Sequence, residues 1–159
     1  MKSMIAAAAL GALALSAGVA QGAEFVTVPL ETTVAAPADA AWKKLSDFCD
    51  IGAWMKITCV YASGSGDVGS VRLLRGTVTE LMVAKTARSY TYSQPKSPID
   101  YHGTVEIRPI DKAHSRLLYT LVYDAEPLAT PEAKAADKAS RAKRFTEVLA
   151  VMKGIAEAK

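Results

Sequence analysis

The sequence predicts an α+β domain: a curved antiparallel β-sheet of about seven strands wrapped on one long C-terminal helix, with two short helices after the first strand. Three observations predict it. Short segments rich in β-branched and aromatic residues recur between residues 57 and 123, separated by Gly, Pro and Asp turns. One long segment after Pro131 carries apolar residues at helical spacing. Between the first strand and the strand-rich run, Trp42, Leu45 and Phe48 also follow a helical period.

Residues 24–34 are rich in Val and Thr and read as a strand, with Pro29 pointing to an edge position or a bulge. Ala36-Pro37-Ala38-Asp39 opens a helix, because Pro and Asp suit its free N–H groups and its dipole. Residues 50–54 form a second helical turn. Strands are expected at 57–61, 70–75, 77–85 (hinged to its predecessor at Gly76), 87–94, 101–107 and 115–123, with a glycine turn at 63–67. Such closely spaced strands form an antiparallel meander. Thr130 is the expected N-cap of the last helix, with Pro131 in its first position. Ala142, Phe145, Val148, Leu149, Met152, Ile155 and Ala156 make its apolar stripe. A meander has one apolar face to bury, and this helix is its cover. The space between them is a natural hydrophobic pocket.

The chain has 159 residues and a formal net charge of +3. Met1-Lys2-Ser3 is followed by an apolar run and then by Gly18-Val19-Ala20, the order of a secretory signal peptide. The domains expected are therefore a signal peptide, 1–20, and one ligand-binding domain, 21–159, in a periplasmic or secreted protein. Ala23 is the alternative cleavage position. A retained anchor is the rival reading, and the run is short for a span of roughly 20 residues. Export would place Cys49 and Cys59 in an oxidising compartment, where a pair tends to join. Two unrelated buried thiols are the alternative. The weak positive charge excludes nucleic acid as the main partner. The basic cluster from Lys138 to Arg144 reads as a solvated helix face, with transient contact to anionic lipid headgroups as the alternative.

The chain resembles the START-like, or SRPBCC, superfamily of helix-grip proteins, and within it the polyketide cyclase/dehydrase-type members. Four stretches carry the resemblance. Ala36-Pro37-Ala38-Asp39-Ala40-Ala41-Trp42, with Phe48 and Trp54, is similar to the family's first helices. Gly66-Asp67-Val68-Gly69-Ser70-Val71-Arg72 is similar to its glycine turn and third strand. Thr79-Glu80-Leu81 and Arg88-Ser89-Tyr90-Thr91-Tyr92 are similar to its central hairpin, and the last helix to its gripping helix. The plant abscisic-acid receptors of this superfamily share the glycine turn. The resemblance places Lys56 where they bind a carboxylate, on the second strand, and Glu80 on a pocket glutamate. It also puts Tyr92 and Tyr101 on pocket aromatics, and Tyr119 where they have a second glutamate. The arginine that follows the pocket glutamate there is Leu81 here, which implies a pocket without the same ligand chemistry.

Strand alternation puts Tyr90 with Tyr92, and Leu117 with Tyr119, Leu121 and Tyr123. A tyrosine facing a cavity supplies apolar area and one orienting hydroxyl; the bland alternative is ordinary sheet aromatics. The expected ligand-binding set is Lys56, Glu80, Tyr90, Tyr92, Tyr101, Tyr119, Tyr123, Phe145 and Leu149, with Lys56 and Glu80 as a buried pair and no catalytic residue. Surface placement of both is the alternative, because buried charge is costly without a partner. Arg72 reads as a structural strand residue. His102 alternates away from Tyr101 and His114 lies in a polar turn, so neither is a general base. No phosphate loop, nucleophile motif or metal-ligand spacing is present, and no cofactor is implied. The expected function is a carrier or binding protein for a hydrophobic small molecule or lipid. The alternative is a cyclase, aromatase or dehydratase working in the same pocket, and no protein partner is indicated.

Overall fold

The computed structural model describes residues 22–158, so the expected signal peptide, residues 1–20, lies outside the described residues. The edge strand β1 (Phe25–Val34) leads into α1 (Ala38–Lys43) and α2 (Ile51–Met55). Six strands follow: β2 (Cys59–Ser63), β3 (Val71–Leu74), β4 (Val78–Thr86), β5 (Ser89–Ser93), β6 (His102–Pro109) and β7 (Ser115–Asp124). The chain then forms α3 (Pro131–Glu157). Strands β2 to β7 run as the expected meander, and β1 closes on β7, giving the order β1-β7-β6-β5-β4-β3-β2. Every pairing is antiparallel. Pro29 sits on β1, an edge strand, where its missing N–H costs no ladder bond on the open side. Register shifts at Met82/Ala84 and Tyr61/Ser63 bend the sheet.

The curved sheet buries one face against α3. Val28, Val105, Ile107, Leu117 and Leu121 come from the sheet, and Phe145, Val148, Leu149 and Met152 from the helix. Fully burying each such side chain contributes about 1.5–3 kcal/mol. Helix α3 begins as expected: the Thr130 hydroxyl accepts from Ala133 N–H at 3.1 Å. At one end of the sheet, α1 packs against β6, β7 and α3, and with the segment after it places Trp42, Leu45 and Phe48 in the core. Helix α2 lies against α3 at the other end.

Cys49 and Cys59 form a disulfide with Cα atoms 5.5 Å apart. It brackets α2 and ties it to the start of β2. The strand expected from residue 57 begins instead at Cys59. Lys56 takes a left-handed conformation (φ 52°) as the C-cap of α2, and Ile57 N–H bonds back to the Gly52 carbonyl at 3.0 Å. The helical turn therefore runs two residues further than β-propensity suggests. The loop after β7 runs from Ala125 to Thr130. Asp124 N–H bonds the Ile99 carbonyl and Ala125 N–H the Glu24 carbonyl, so it is pinned to the rest of the chain.

Candidate functional site: a half-open cavity between sheet and helix

Between α2, the open end of the sheet and the middle of α3 lies a half-open cavity of about 340 Å³. Its apolar wall is built from Ile51 and Met55 on α2, Ile57, Leu74, Val78, Ile99 and Phe145. Its polar lining matches this wall in number: Glu80, Gln94, Tyr92 and Tyr101 within, and Arg75, Arg141 and Arg144 beside them. A concavity that joins an apolar wall to convergent polar groups is a usual form of a small-molecule site, and this one lies near the small end of the size range, roughly 300–1,000 Å³.

Glu80 is 2% exposed and Arg72 0%. Arg72 Nε donates to Glu80 Oε2 at 2.7 Å, and Nη2 lies 2.5 Å from the same oxygen. Nη1 donates to the Phe48 carbonyl. The guanidinium lies over the Phe48 ring at 3.9 Å and the Tyr92 ring at 4.8 Å. Burial works against the Arg72 charge, but Glu80 and the surrounding tyrosines outweigh it and hold its pKa above the ordinary arginine value. The other carboxylate oxygen, Glu80 Oε1, accepts from Gln94 Nε2 at 2.8 Å. Glu80 thus enters the cavity wall as an oriented acceptor, fixed on both sides.

Tyr92 lies across Gly103, its register partner on β6. A Cβ at Gly103 would collide with the Tyr92 ring, so only glycine leaves room for it. The Tyr92 and Tyr119 hydroxyls share a hydrogen bond of 2.8 Å. Burial pushes the hydroxyls of Tyr90, Tyr92, Tyr101 and Tyr119 well above the ordinary phenol range, so all four stay protonated at neutral pH.

Of the expected residues, Glu80, Tyr92, Tyr101 and Phe145 line the cavity. The remaining expected residues lie off it. Lys56 is exposed, because the C-cap of α2 turns it away from the sheet, and the expected Lys56–Glu80 pair does not form. Arg72 takes that place, as Glu80's direct register partner across β3 and β4. Tyr90 is covered by Trp42 and Phe48, with ring centroids 5.9 and 5.6 Å away. Tyr119 is capped by Phe145 at 4.9 Å. Tyr123 lies under the Arg141 guanidinium at 4.4 Å. Leu149 lines a separate, smaller cleft with Leu30 and Thr32.

Sequence reasoning passed over Gln94, Arg75 and Arg144. Gln94 continues the Tyr90–Tyr92 alternation, and a hairpin folded at Gly76 sets residue 72 opposite residue 80. For Arg144 the signal is its place three residues beyond Arg141 and next to Phe145, on one helix face.

The fold recurs in solved structures. The Zhui aromatase/cyclase from Streptomyces is 22% identical to this chain, with a TM-score of 0.68 over 84% of this chain and 94% of that one. A protein from Thermobifida fusca is 21% identical, with a TM-score of 0.70 over 80% and 90%. One from Nitrosospira multiformis is 21% identical, with a TM-score of 0.65 over 81% and 94%. No curated protein sequence matches the chain significantly. Residues 26–157 match the family model described as polyketide cyclase/dehydrase and lipid transport. Sheet and gripping helix are those of a hydrophobic-ligand-binding fold, and the chain belongs to the polyketide cyclase/dehydrase and lipid transport family of the START-like, or SRPBCC, superfamily.

Proposed function

We propose that this chain is an exported carrier or binding protein that holds a hydrophobic small molecule or lipid in the cavity between sheet and α3. The observation that carries the reading is the cavity itself: about 340 Å³, with an apolar wall on α2, the sheet and α3 and with Glu80, Gln94, Tyr92 and Tyr101 converging inside it. The apolar body of the ligand would displace water from Met55, Ile57, Leu74, Ile99 and Phe145. The fixed Glu80 carboxylate would accept a hydrogen bond from a ligand hydroxyl or amide, and Tyr101 would orient a second polar atom. Export to the periplasm is supported by the signal-like residues 1–20 and by the disulfide, which an oxidising compartment maintains. No described helix is long and apolar enough to cross a membrane.

The test is native mass spectrometry of protein purified from an oxidising periplasm, followed by solvent extraction. A discrete added mass of an apolar compound is expected. A clean apo mass, together with no uptake from a broad panel of hydrophobic compounds, would sink the reading.

One observation favours a second reading, a cyclase or dehydratase: a carboxylate and tyrosine hydroxyls stand together inside the cavity, where an acid or base would act on a folded chain. Turnover lost in Glu80→Gln, with the fold intact, would support it.

A further inference from the structure

The charges around the cavity do not cancel, and the imbalance lies on one side. Glu80 is matched by Arg72. Arg141 is matched by Asp137, whose Oδ2 accepts from its Nε at 2.7 Å. Arg75 and Arg144 remain: among the described residues no carboxylate forms an ion pair with either. Both line the main cavity and also the adjoining recess beside Trp54 and Met55. Glu147 lines that recess too, without pairing with them. They reach this place from different elements, Arg144 from α3 and Arg75 from the β3–β4 turn.

The conformation of Arg75 is unusual for its type. Arg75 and Gly76 both have positive φ (52° and 73°), and Thr77 N–H bonds the Leu74 carbonyl at 3.0 Å. Such turns favour Asn or Gly at the first central position. An arginine there bears a conformational cost while its side chain lines the cavity. The field of Arg141 and Arg144 also reaches the Tyr101 hydroxyl, where it opposes the upward push of burial.

We infer that the occupant is an amphipathic acid, its apolar body inside the cavity and its compact anionic headgroup, a carboxylate or a phosphate monoester, held between Arg75 and Arg144. This rests on the cavity being a ligand site, as proposed above. Both side chains are exposed at the mouth of the cavity, and arginine forks suit these planar or tetrahedral oxyanions.

The test uses probes with one tail and different heads: decanoic acid, decyl phosphate, 1-decanol and decylammonium, titrated into the delipidated protein by calorimetry. At least one of the two acids should bind about tenfold or more tighter than 1-decanol, and decylammonium should bind more weakly than 1-decanol. The tighter acid names the headgroup. The preference should shrink as salt rises. Arg75→Asn combined with Arg144→Gln should erase it, so that neither acid binds tighter than 1-decanol to the same variant; Asn is at ease with the positive φ. Lys138→Gln with Lys143→Gln, which removes equal charge from α3 away from the cavity, should leave the preference intact. If 1-decanol binds as tightly as both acids, or if the preference survives the arginine replacements, the inference is overturned and the cavity reading stands. If none of the probes binds, both fall.

Discussion

The two ends of the space between sheet and helix are built from the same kinds of residue and end in opposite states. At the α1 end, Tyr90 is packed by Trp42 and Phe48, and Met82, Ile107 and Leu117, none of which lines the cavity, are fully or nearly fully buried. At the α2 end, Tyr92 and Tyr101 meet open space, although they are only 1% and 4% exposed. The difference is in the cover. Helix α1 and the segment after it drive Trp42, Leu45 and Phe48 inward, whereas α2 is one short turn that contributes Ile51 and Met55 to a wall. A cavity in this fold therefore depends on how far the small helices reach into the grip, and local strand composition does not reveal it. The Arg72–Glu80 pair lies between the two ends, touching Phe48 on one side and reaching the cavity through Glu80 on the other.

Breaking that pair should blur the distinction most. Arg72→Met leaves the Glu80 carboxylate buried without its cation and should cost about 3–5 kcal/mol in urea unfolding. Replacing both partners, Arg72→Met with Glu80→Leu, should recover much of the loss, because the stranded charge is gone. Equal destabilisation by the single and double replacements would show that the pair's charge is not the source of the effect.

The disulfide comes next. Cys49→Ser with Cys59→Ser should lower stability by roughly 2–3 kcal/mol. It should also weaken ligand binding more than stability alone predicts, because Ile51, Met55 and Ile57 of the cavity wall all lie in the loop it closes. Comparing the binding of one probe by the variant and the parent, well below either melting temperature, checks this.

The mildest change compares the ends directly. Leu117→Phe, in the filled region, should cost about 1–3 kcal/mol by overpacking. Leu74→Phe, beside the cavity, should change stability by less than about 0.5 kcal/mol while removing ligand uptake. A large loss of stability from Leu74→Phe would mean that the cavity cannot accept the added ring.

The element order was legible before any coordinates, because a helix or strand pattern repeats within a few residues and depends only on neighbours in the chain. Thr130 and Pro131 open α3 as local capping requires, and Pro29 lies on an edge strand as its missing N–H requires. Alternation likewise separated Tyr101 from His102, and Tyr90 and Tyr92 from Thr91. The site was only half legible. Alternation states which face a tyrosine takes but not what lies above it, so Tyr90, Tyr119, Tyr123 and Leu149 were expected at the cavity and instead fill core or meet other contacts.

What the amino-acid sequence by itself determined was the local: the elements, their caps, their buried faces, and two cysteines able to join. What only the tertiary structure decided was which buried groups meet. Lys56 and Glu80 share a short stretch of chain, yet a left-handed helix cap turns Lys56 to solvent and the β3–β4 register delivers Arg72 instead. Arg75 and Arg144 lie far apart in the chain and reach one cavity only because α3 crosses the open end of the sheet. Side-chain partnership across elements depends on register, crossing and cover, and those are properties of the assembled chain.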